Sequence, residues 1–235
     1  MSDALVKVLG LGVEIGGRRI VDGVSFSADG GQVVAVIGPN GSGKTTLLRA
    51  LAGLLPASGD LLVADADPRE TSAEKLSRHR AYCAQKPGSA WDYRLSDLGE
   101  IVGNPLGYED WLAKLQLGAC IDRTLSSLSG GEQKSAHLAM TFASLIEPFG
   151  GVLLLDEPAA ALDLGRQEAV RLAVASFAQA GAACVVATHD LGFARRCDLV
   201  VVLSEGRLAA IGRPGDVLDA EIISAVWGES ASAIA

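Results

Sequence analysis

The sequence lacks a long uninterrupted apolar run, although its 235 residues are 49% hydrophobic and their mean hydropathy is +0.30. A helix that crosses a bilayer needs about 20 consecutive apolar residues. The run at residues 47–55 is interrupted by Arg49. The run at 182–188 ends at His189, and the run at 199–203 is only as long as a strand. We therefore expect no transmembrane helix. The N-terminus also lacks a basic segment followed by an apolar stretch, so no signal peptide is expected.

An excess of positive charge is absent as well. The chain has 20 Lys and Arg residues against 28 Asp and Glu residues, which gives a formal net charge of −8. A general nucleic-acid-binding protein normally carries a basic face, so we expect no nucleic-acid partner. A local basic pocket for one anionic ligand is still compatible with this charge.

Paired cysteines are also lacking. The four cysteines (Cys83, Cys120, Cys184 and Cys197) form no C-x-x-C pair and have no metal-ligand spacing with the three histidines. We expect free thiols in a reducing compartment, which indicates the cytoplasm.

The segments that are present alternate between short, β-branched apolar runs and helical stretches, as is typical of a largely parallel α/β sheet. Continuous apolar runs predict buried strands at residues 33–37, 152–155, 183–187 and 199–203. Apolar residues at helical spacing predict a helix over 166–179.

Two other regions differ from this α/β rhythm. Alternating apolar residues in the first thirty positions, with a turn at Gly16 and Gly17, predict an antiparallel β portion. Between about 71 and 148, strand-like runs are rare and helix formers are common. We therefore predict a single domain over 1–235 with an inserted α-helical subdomain at approximately 86–147.

A phosphate-binding loop is indicated by the sequence GPNGSGKT at residues 38–45, which matches G-x-x-x-x-G-K-[ST] at every fixed position. It lies between a predicted strand and a predicted helix, as this motif requires. Glycines let successive backbone N–H groups point at phosphate oxygens, and the helix N-terminus adds its positive dipole end. Lys44 would reach the β- and γ-phosphates, and the Thr45 hydroxyl would ligate Mg²⁺. The motif thus predicts a P-loop NTPase core.

Two carboxylates follow the buried run at 152–155. Asp156 and Glu157 are expected at the carboxyl end of a strand, where ligands bind in doubly wound sheets. Asp156 would hold Mg²⁺ through water, and Glu157 would polarise the water that attacks the γ-phosphate.

A third motif, LSGGE at residues 128–132, precedes a predicted helix over 133–145. The order of phosphate loop, LSGGE and acid pair resembles that of the ATP-binding subunits of ABC transporters. In that family this signature motif binds the γ-phosphate held by the opposite subunit, which implies that role for Ser129, Gly130 and Gly131. We expect Glu132 to cap its helix rather than take part in chemistry.

The remaining motifs of the family occur in the same order. Gln85 matches the glutamine that senses Mg²⁺ and leads into the helical subdomain, Asp163 matches the acid of the D-loop, and His189 matches the switch histidine at the γ-phosphate. The resemblance implies catalytic roles for Glu157 and His189 and a metal site at Thr45, Gln85 and Asp156. The implied nucleotide-binding residues are Gly38, Pro39, Asn40, Gly41, Ser42, Gly43, Lys44, Thr45, Thr46, Gln85, Ser129, Gly130, Gly131 and Asp163.

Two positions depart from the family pattern. The aromatic residue that stacks on adenine is replaced by Ile15, so an apolar contact is expected instead. After the signature the family usually has Gln-Arg, but this chain has Lys134 and Ser135. We expect this change to remove a charged anchor near the junction with the helical subdomain.

The resemblance implies an ATP-hydrolysing transporter subunit with ATP and Mg²⁺ as cofactors. The implied partners are a second ATP-binding subunit, expected as a homodimer, two transmembrane permease subunits and an extracytoplasmic substrate-binding protein. The chain would then lie at the cytoplasmic face of the membrane.

Residues 82–85 and 206–218 are similar to segments of metal-chelate importers, which favours import of an iron-siderophore, haem or cobalamin. An exporter subunit and a soluble ATPase of cofactor assembly or DNA repair remain alternatives. DNA-repair members usually carry long coiled-coil or zinc insertions, which this chain lacks.

Overall fold

A computed structural model of the chain describes residues 4–86 and 92–228. Its strands are β1 (Val6–Ile15), β2 (Arg18–Ala28), β3 (Val33–Ile37), β4 (Ser58–Val63), β5 (Arg80–Cys83), β6 (Val152–Asp156), β7 (Ala183–Ala187), β8 (Leu199–Ser204) and β9 (Arg207–Gly212). Its α-helices are α1 (Lys44–Leu51), α2 (Ala73–Ser77), α3 (Leu95–Val102), α4 (Pro105–Lys114), α5 (Gly130–Ser144), α6 (Leu164–Gln179), α7 (Leu191–Ala194), α8 (Pro214–Val217) and α9 (Ala220–Trp227).

The larger of two sheets has the strand order β5-β6-β7-β3-β8-β9. Its neighbouring strands pair in parallel from β5 to β8, and β9 is antiparallel to β8 at one edge. The smaller sheet, β2-β1-β4, is antiparallel throughout. The predicted α/β fold with a mainly parallel sheet and an N-terminal antiparallel β portion is confirmed.

The parallel strands are continuous apolar runs because both faces of the sheet are covered. In β6, Leu153 and Leu155 pack with α5 and α6 on one face, whereas Val152 and Leu154 pack with α1 and the antiparallel sheet on the other. A strand with one wet face would alternate apolar and polar residues instead. Burial on both faces therefore explains why these strands are easy to recognise in the sequence.

Helices α3, α4 and α5 connect β5 to β6, within the region predicted as a helical subdomain. Trp111 of α4, Phe142 of α5 and Phe177 of α6 form one aromatic cluster, with ring centroids 4.9 to 5.6 Å apart. This cluster joins the helical region to the helix that follows β6. Residues 87–91, which fall in the predicted subdomain, lie outside the described residues.

Two further expectations concern transmembrane helices and disulfide bonds. Within residues 4–86 and 92–228, no helix combines the length and apolar character needed to cross a membrane. All four cysteines are free thiols, as expected, and Cys83, Cys184 and Cys197 are buried.

The aromatic cluster predicts a large stability effect at its centre. Phe142 is 1% exposed and contacts both other rings, so Phe142→Ala should lower the free energy of unfolding by about 3–5 kcal/mol through lost contacts and a cavity. Urea denaturation followed by circular dichroism measures this change. Leu106→Ala, at an 81% exposed position of α4, is the control and should change stability by less than about 0.5 kcal/mol. Equal effects at the two positions would contradict this packing.

Candidate active site

The phosphate loop lies between the end of β3 and the start of α1, as predicted. Gly43 is the N-cap of α1 with φ of +100°, a backbone conformation that residues with a Cβ rarely adopt. A Cβ on Gly38 would lie 2.2 Å from the Leu203 carbonyl oxygen. The local geometry therefore requires glycine at both positions. With glycine there, the chain can turn sharply from β3 into the N-terminus of α1.

Lys44 extends back along this loop. Its Nζ donates hydrogen bonds to the carbonyl oxygens of Gly38 at 2.8 Å and Pro39 at 3.0 Å. Burial lowers the pKa of the Lys44 ammonium, and the negative charges of Glu157 and Asp156 oppose that shift. The ammonium is thus held over the loop, where a β- or γ-phosphate oxygen could exchange for a carbonyl.

A cavity of about 510 Å³ opens over the loop. The predicted residues that line it are Asn40, Gly41, Ser42, Gly43, Lys44, Thr45, Thr46, Gln85 and Glu157. Ile20, which the sequence reading missed, lines it as well, whereas Ile15 does not and is half exposed at the β1–β2 turn. The Ile20 backbone lies against Gly43 and Gly206, and this long-range contact could not be read from spacing to the motif.

Asp156 has the environment expected of a cation-binding carboxylate. It is 0% exposed, and neither carboxylate oxygen makes a hydrogen bond within the described residues. Burial raises the pKa of Asp156, the charge of Glu157 adds to the shift, and the charges of Lys134 and Lys44 oppose it. Buried oxygens with no hydrogen bond are costly unless a ligand satisfies them. The oxygen donors at Asp156 and Thr45 therefore fit Mg²⁺, which prefers oxygen ligands.

Glu157 and His189 are brought together by adjacent parallel strands. β6 and β7 pair in parallel, so the residues that follow them share one edge of the sheet. The Nδ1 atom of His189 lies 2.8 Å from Oε2 of the buried Glu157, while the imidazole is 69% exposed. Glu157 has φ of +47°, a strained conformation for a residue with a side chain. Its backbone N–H donates to the Ala187 carbonyl oxygen at 2.8 Å, which holds the strained turn in place.

The charged anchor near the helical region is present rather than lost. The Nζ of Lys134 donates to the carbonyl oxygens of Ala84 at 2.8 Å, Gln85 at 3.1 Å and Asp156 at 3.3 Å. The expectation that replacing Gln-Arg removes an anchor is therefore wrong, because a lysine one position earlier supplies the charge. Ser135 is buried, and its hydroxyl makes no hydrogen bond within the described residues.

The signature residues lie at a second helix N-terminus, away from the cavity. Ser129 caps α5: its Oγ accepts a hydrogen bond from the Glu132 N–H, and the Glu132 carboxylate accepts one from the Ser129 N–H. The expected capping role of Glu132 is confirmed. Asp163 similarly caps α6. Ser129, Gly130, Gly131 and Asp163 do not line the cavity over the phosphate loop of the same chain.

Comparison with known proteins gives consistent matches. A sequence model of the family described as ABC transporter matches residues 21–160. A hemin import ATP-binding protein HmuV from Rhodococcus jostii is 35% identical over 96% of this chain and 80% of its own length. One from Bordetella pertussis is 37% identical over 94% and 90%, respectively. The solved structure of an ATP-binding subunit of an ABC transporter has a TM-score of 0.81 at 24% identity, over 96% of this chain and 94% of that one.

The unsatisfied carboxylate of Asp156 predicts that its neutralisation stabilises the nucleotide-free protein. Because burial raises its pKa, the folded state favours the protonated form, and the ionised form costs stability as the pH rises through that pKa. We expect Asp156→Asn to raise the free energy of unfolding at pH 7 by about 1–3 kcal/mol, because burying a neutral amide costs less than burying an unpaired carboxylate charge. Urea titrations over a pH series measure this gain, which should shrink as the pH falls toward the ordinary value of 3.8.

The exposed Asp122 provides the control for this variant. Asp122→Asn should change the free energy of unfolding by less than about 0.5 kcal/mol. An Asp156→Asn protein that is less stable than the wild type at pH 7 would show that the carboxylate stabilises the fold.

Proposed function

The chain belongs to the ABC transporter family, and we propose that it is the ATP-hydrolysing subunit of an importer for an iron complex such as hemin. ATP-binding subunits of this family are ATPases that power transport through separate transmembrane subunits. The observation that carries the proposal is the Glu157–His189 contact at the edge of the phosphate-loop cavity. It supplies a base and an orienting partner where a γ-phosphate would lie.

The triphosphate is held mainly by backbone. Residues 38–46 wrap the phosphates, with N–H groups at the N-terminus of α1 and the ammonium of Lys44 as donors. This arrangement supports nucleotide binding in a protein whose net charge is −8, because one concentrated anion site needs few basic side chains. Ile20 is the aliphatic side chain that lines this cavity.

Thr45, Asp156 and Gln85 would hold the magnesium ion. Mg²⁺ bound there would neutralise charge on the β- and γ-phosphate oxygens. The support for this assignment is the buried carboxylate of Asp156, whose oxygens make no hydrogen bond within the described chain.

Hydrolysis follows from the positions of Glu157 and His189. The Glu157 carboxylate accepts a hydrogen bond from the attacking water and orients it in line with the bond between the γ-phosphorus and the bridging oxygen. An ionised carboxylate can only accept, so Nδ1 of His189 carries the proton that it donates to Oε2. The opposite ring nitrogen, Nε2, can donate to a γ-phosphate oxygen only in the doubly protonated imidazolium, in which both ring nitrogens are donors.

A second copy of the chain completes each site. Ser129, Gly130 and Gly131 form a helix N-terminus that does not line the cavity of their own chain, and Asp163 does not line it either. In a head-to-tail homodimer each signature would face the phosphates held by the partner, with the helix N-terminus as an additional anion site.

The transporter partners follow from the family. ABC importer ATPase subunits act with transmembrane permeases, and we infer two such subunits, a substrate-binding protein outside the membrane and a location at the cytoplasmic face. The predicted helical subdomain at approximately 86–147 would contact the permease. Hemin is favoured over an exported drug or lipid, and over a role in cofactor assembly, because two relatives above 30% identity are named for hemin import.

The catalytic role of Glu157 predicts a separation of binding from hydrolysis. Glu157→Gln should lower the rate of ATP hydrolysis by about 100-fold or more, because the amide cannot act as a base, while ATP affinity changes less than about twofold. Phosphate release and binding of a fluorescent ATP analogue measure the two quantities. Glu147→Gln, at an exposed position, is the control and should retain full activity. Wild-type hydrolysis by Glu157→Gln would refute the assignment.

The substrate proposal predicts a growth phenotype. Host cells that carry only the Glu157→Gln chain should lose uptake of hemin, because ATP hydrolysis by this chain powers the hemin importer. Uptake of ferric citrate and cobalamin should be unchanged, because other ATPase subunits power those transporters. Uptake of each labelled compound measures the loss, with the Glu147→Gln chain as the control. If the Glu157→Gln cells lost cobalamin uptake but kept normal hemin uptake, cobalamin and not hemin would be the substrate. If one of the labelled compounds accumulated inside these cells above its level in the control, the transporter would be an exporter.

A further inference from the structure

The ammonium of Lys134 is buried in the second turn of α5, the helix that begins at the signature. Lys134 is 6% exposed, and its three hydrogen bonds go to the backbone oxygens of Ala84, Gln85 and Asp156. An ammonium group has three donors, and all three are used here. The side chain therefore joins three segments of the chain at one atom.

Simple packing does not account for a charge at this position. Removing an ammonium from water costs several kcal/mol unless other groups compensate it. Among the described residues, no carboxylate lies within ion-pair distance of Lys134, so the backbone carbonyls accept its hydrogen bonds, and the negative charges of Asp156 and Glu157 favour the ammonium from farther away. Such a contact depends on the positions of all three carbonyls, because moving one of them leaves a buried donor unpaired.

The three hydrogen bonds of Lys134 lie just beyond the point where β5 and β6 stop pairing. β5 and β6 pair in parallel up to Cys83 opposite Leu155. Beyond that pair, Ala84 and Gln85 leave the sheet, whereas Asp156 continues to pair with Ala187 of β7. The ladder between β5 and β6 thus ends one residue before Asp156, and Lys134 bridges the gap that follows.

We propose that Lys134 is a positioning residue that fixes Gln85 relative to Asp156 and thereby sets the geometry of the cation site. The inference rests on the proposed function, in which these two residues would help to hold Mg²⁺. Lys134 touches neither nucleotide nor metal in this role and acts through the two backbones. Since it belongs to α5, it also ties the helix that carries Ser129 to the cation site of the same chain.

The test removes the ammonium and keeps the aliphatic stem, in Lys134→Met. We expect a kcat for ATP hydrolysis about 10-fold to 100-fold lower, the usual effect of losing a group that orients a metal ligand. The KM for ATP should stay within about twofold, because the phosphate loop and Lys44 are unchanged. Binding of Mn²⁺ to the ATP-loaded protein, followed by electron paramagnetic resonance, should weaken by about 10-fold.

Ser135→Ala is the matched control, since Ser135 is the next residue of α5, is buried and makes no hydrogen bond through its hydroxyl in the described structure. It should retain kcat, KM and Mn²⁺ affinity. Lys134→Arg, which retains the charge and the donors, should recover part of the Mn²⁺ affinity. If Lys134→Met does not fold, Lys134→Gln, which retains a single donor group, decides by the same measurements.

Normal Mn²⁺ affinity and normal kcat in the variant that folds would overturn the inference. A parallel loss of ATP and Mn²⁺ binding together with a lowered melting temperature would also overturn it, because that result indicates a general structural role. Both outcomes are distinguishable from failure of the proposed function, in which Glu157→Gln would hydrolyse ATP at the wild-type rate.

Discussion

The parallel hydrogen-bond ladder from β5 to β8 is the constraint on which the site depends. Parallel strands end at one edge, so the residues that follow β3, β5, β6 and β7 meet there although they are distant in sequence. The phosphate loop follows β3, Gln85 follows β5, Glu157 follows β6, and His189 follows β7. β7, the strand that precedes His189, lies between β3 and β6, but Glu157 and not His189 lines the cavity over the phosphate loop.

Buried charge at this edge is costly, and its arrangement indicates function. Lys44 and Lys134 donate hydrogen bonds to backbone carbonyl oxygens. The carboxylate oxygens of Asp156 accept none within the described residues. A fold selected for stability alone would replace such groups with apolar ones. The strained backbone of Glu157 adds to the same cost. These groups lower the stability of the nucleotide-free protein at this edge, and they form a site that can bind nucleotide and a cation.

Much of the fold was predictable because its main strands are buried on both faces. The continuous apolar runs at β3, β6, β7 and β8 identify them without knowledge of their neighbours. β4 and β9 were missed because their residues are largely exposed or half-buried and give a weak pattern. The order of strands in the sheet was also unavailable, because it depends on which crossovers the helices allow.

The sequence by itself determined the chemistry of the site: a phosphate loop, two acids after a strand, a glutamine, a histidine and a signature at fixed positions along the chain. These motifs could be read because each requires particular residue types at a local spacing. Tertiary structure alone decided that Ile20 rather than Ile15 lines the cavity, that Glu157 contacts His189, and that Lys134 replaces the missing anchor. These facts depend on strand pairing and on the reach of side chains across elements, which no local pattern encodes. The absence of a long apolar run left the hydrophobic excess to be explained, and the structure assigns it to a sheet covered on both faces.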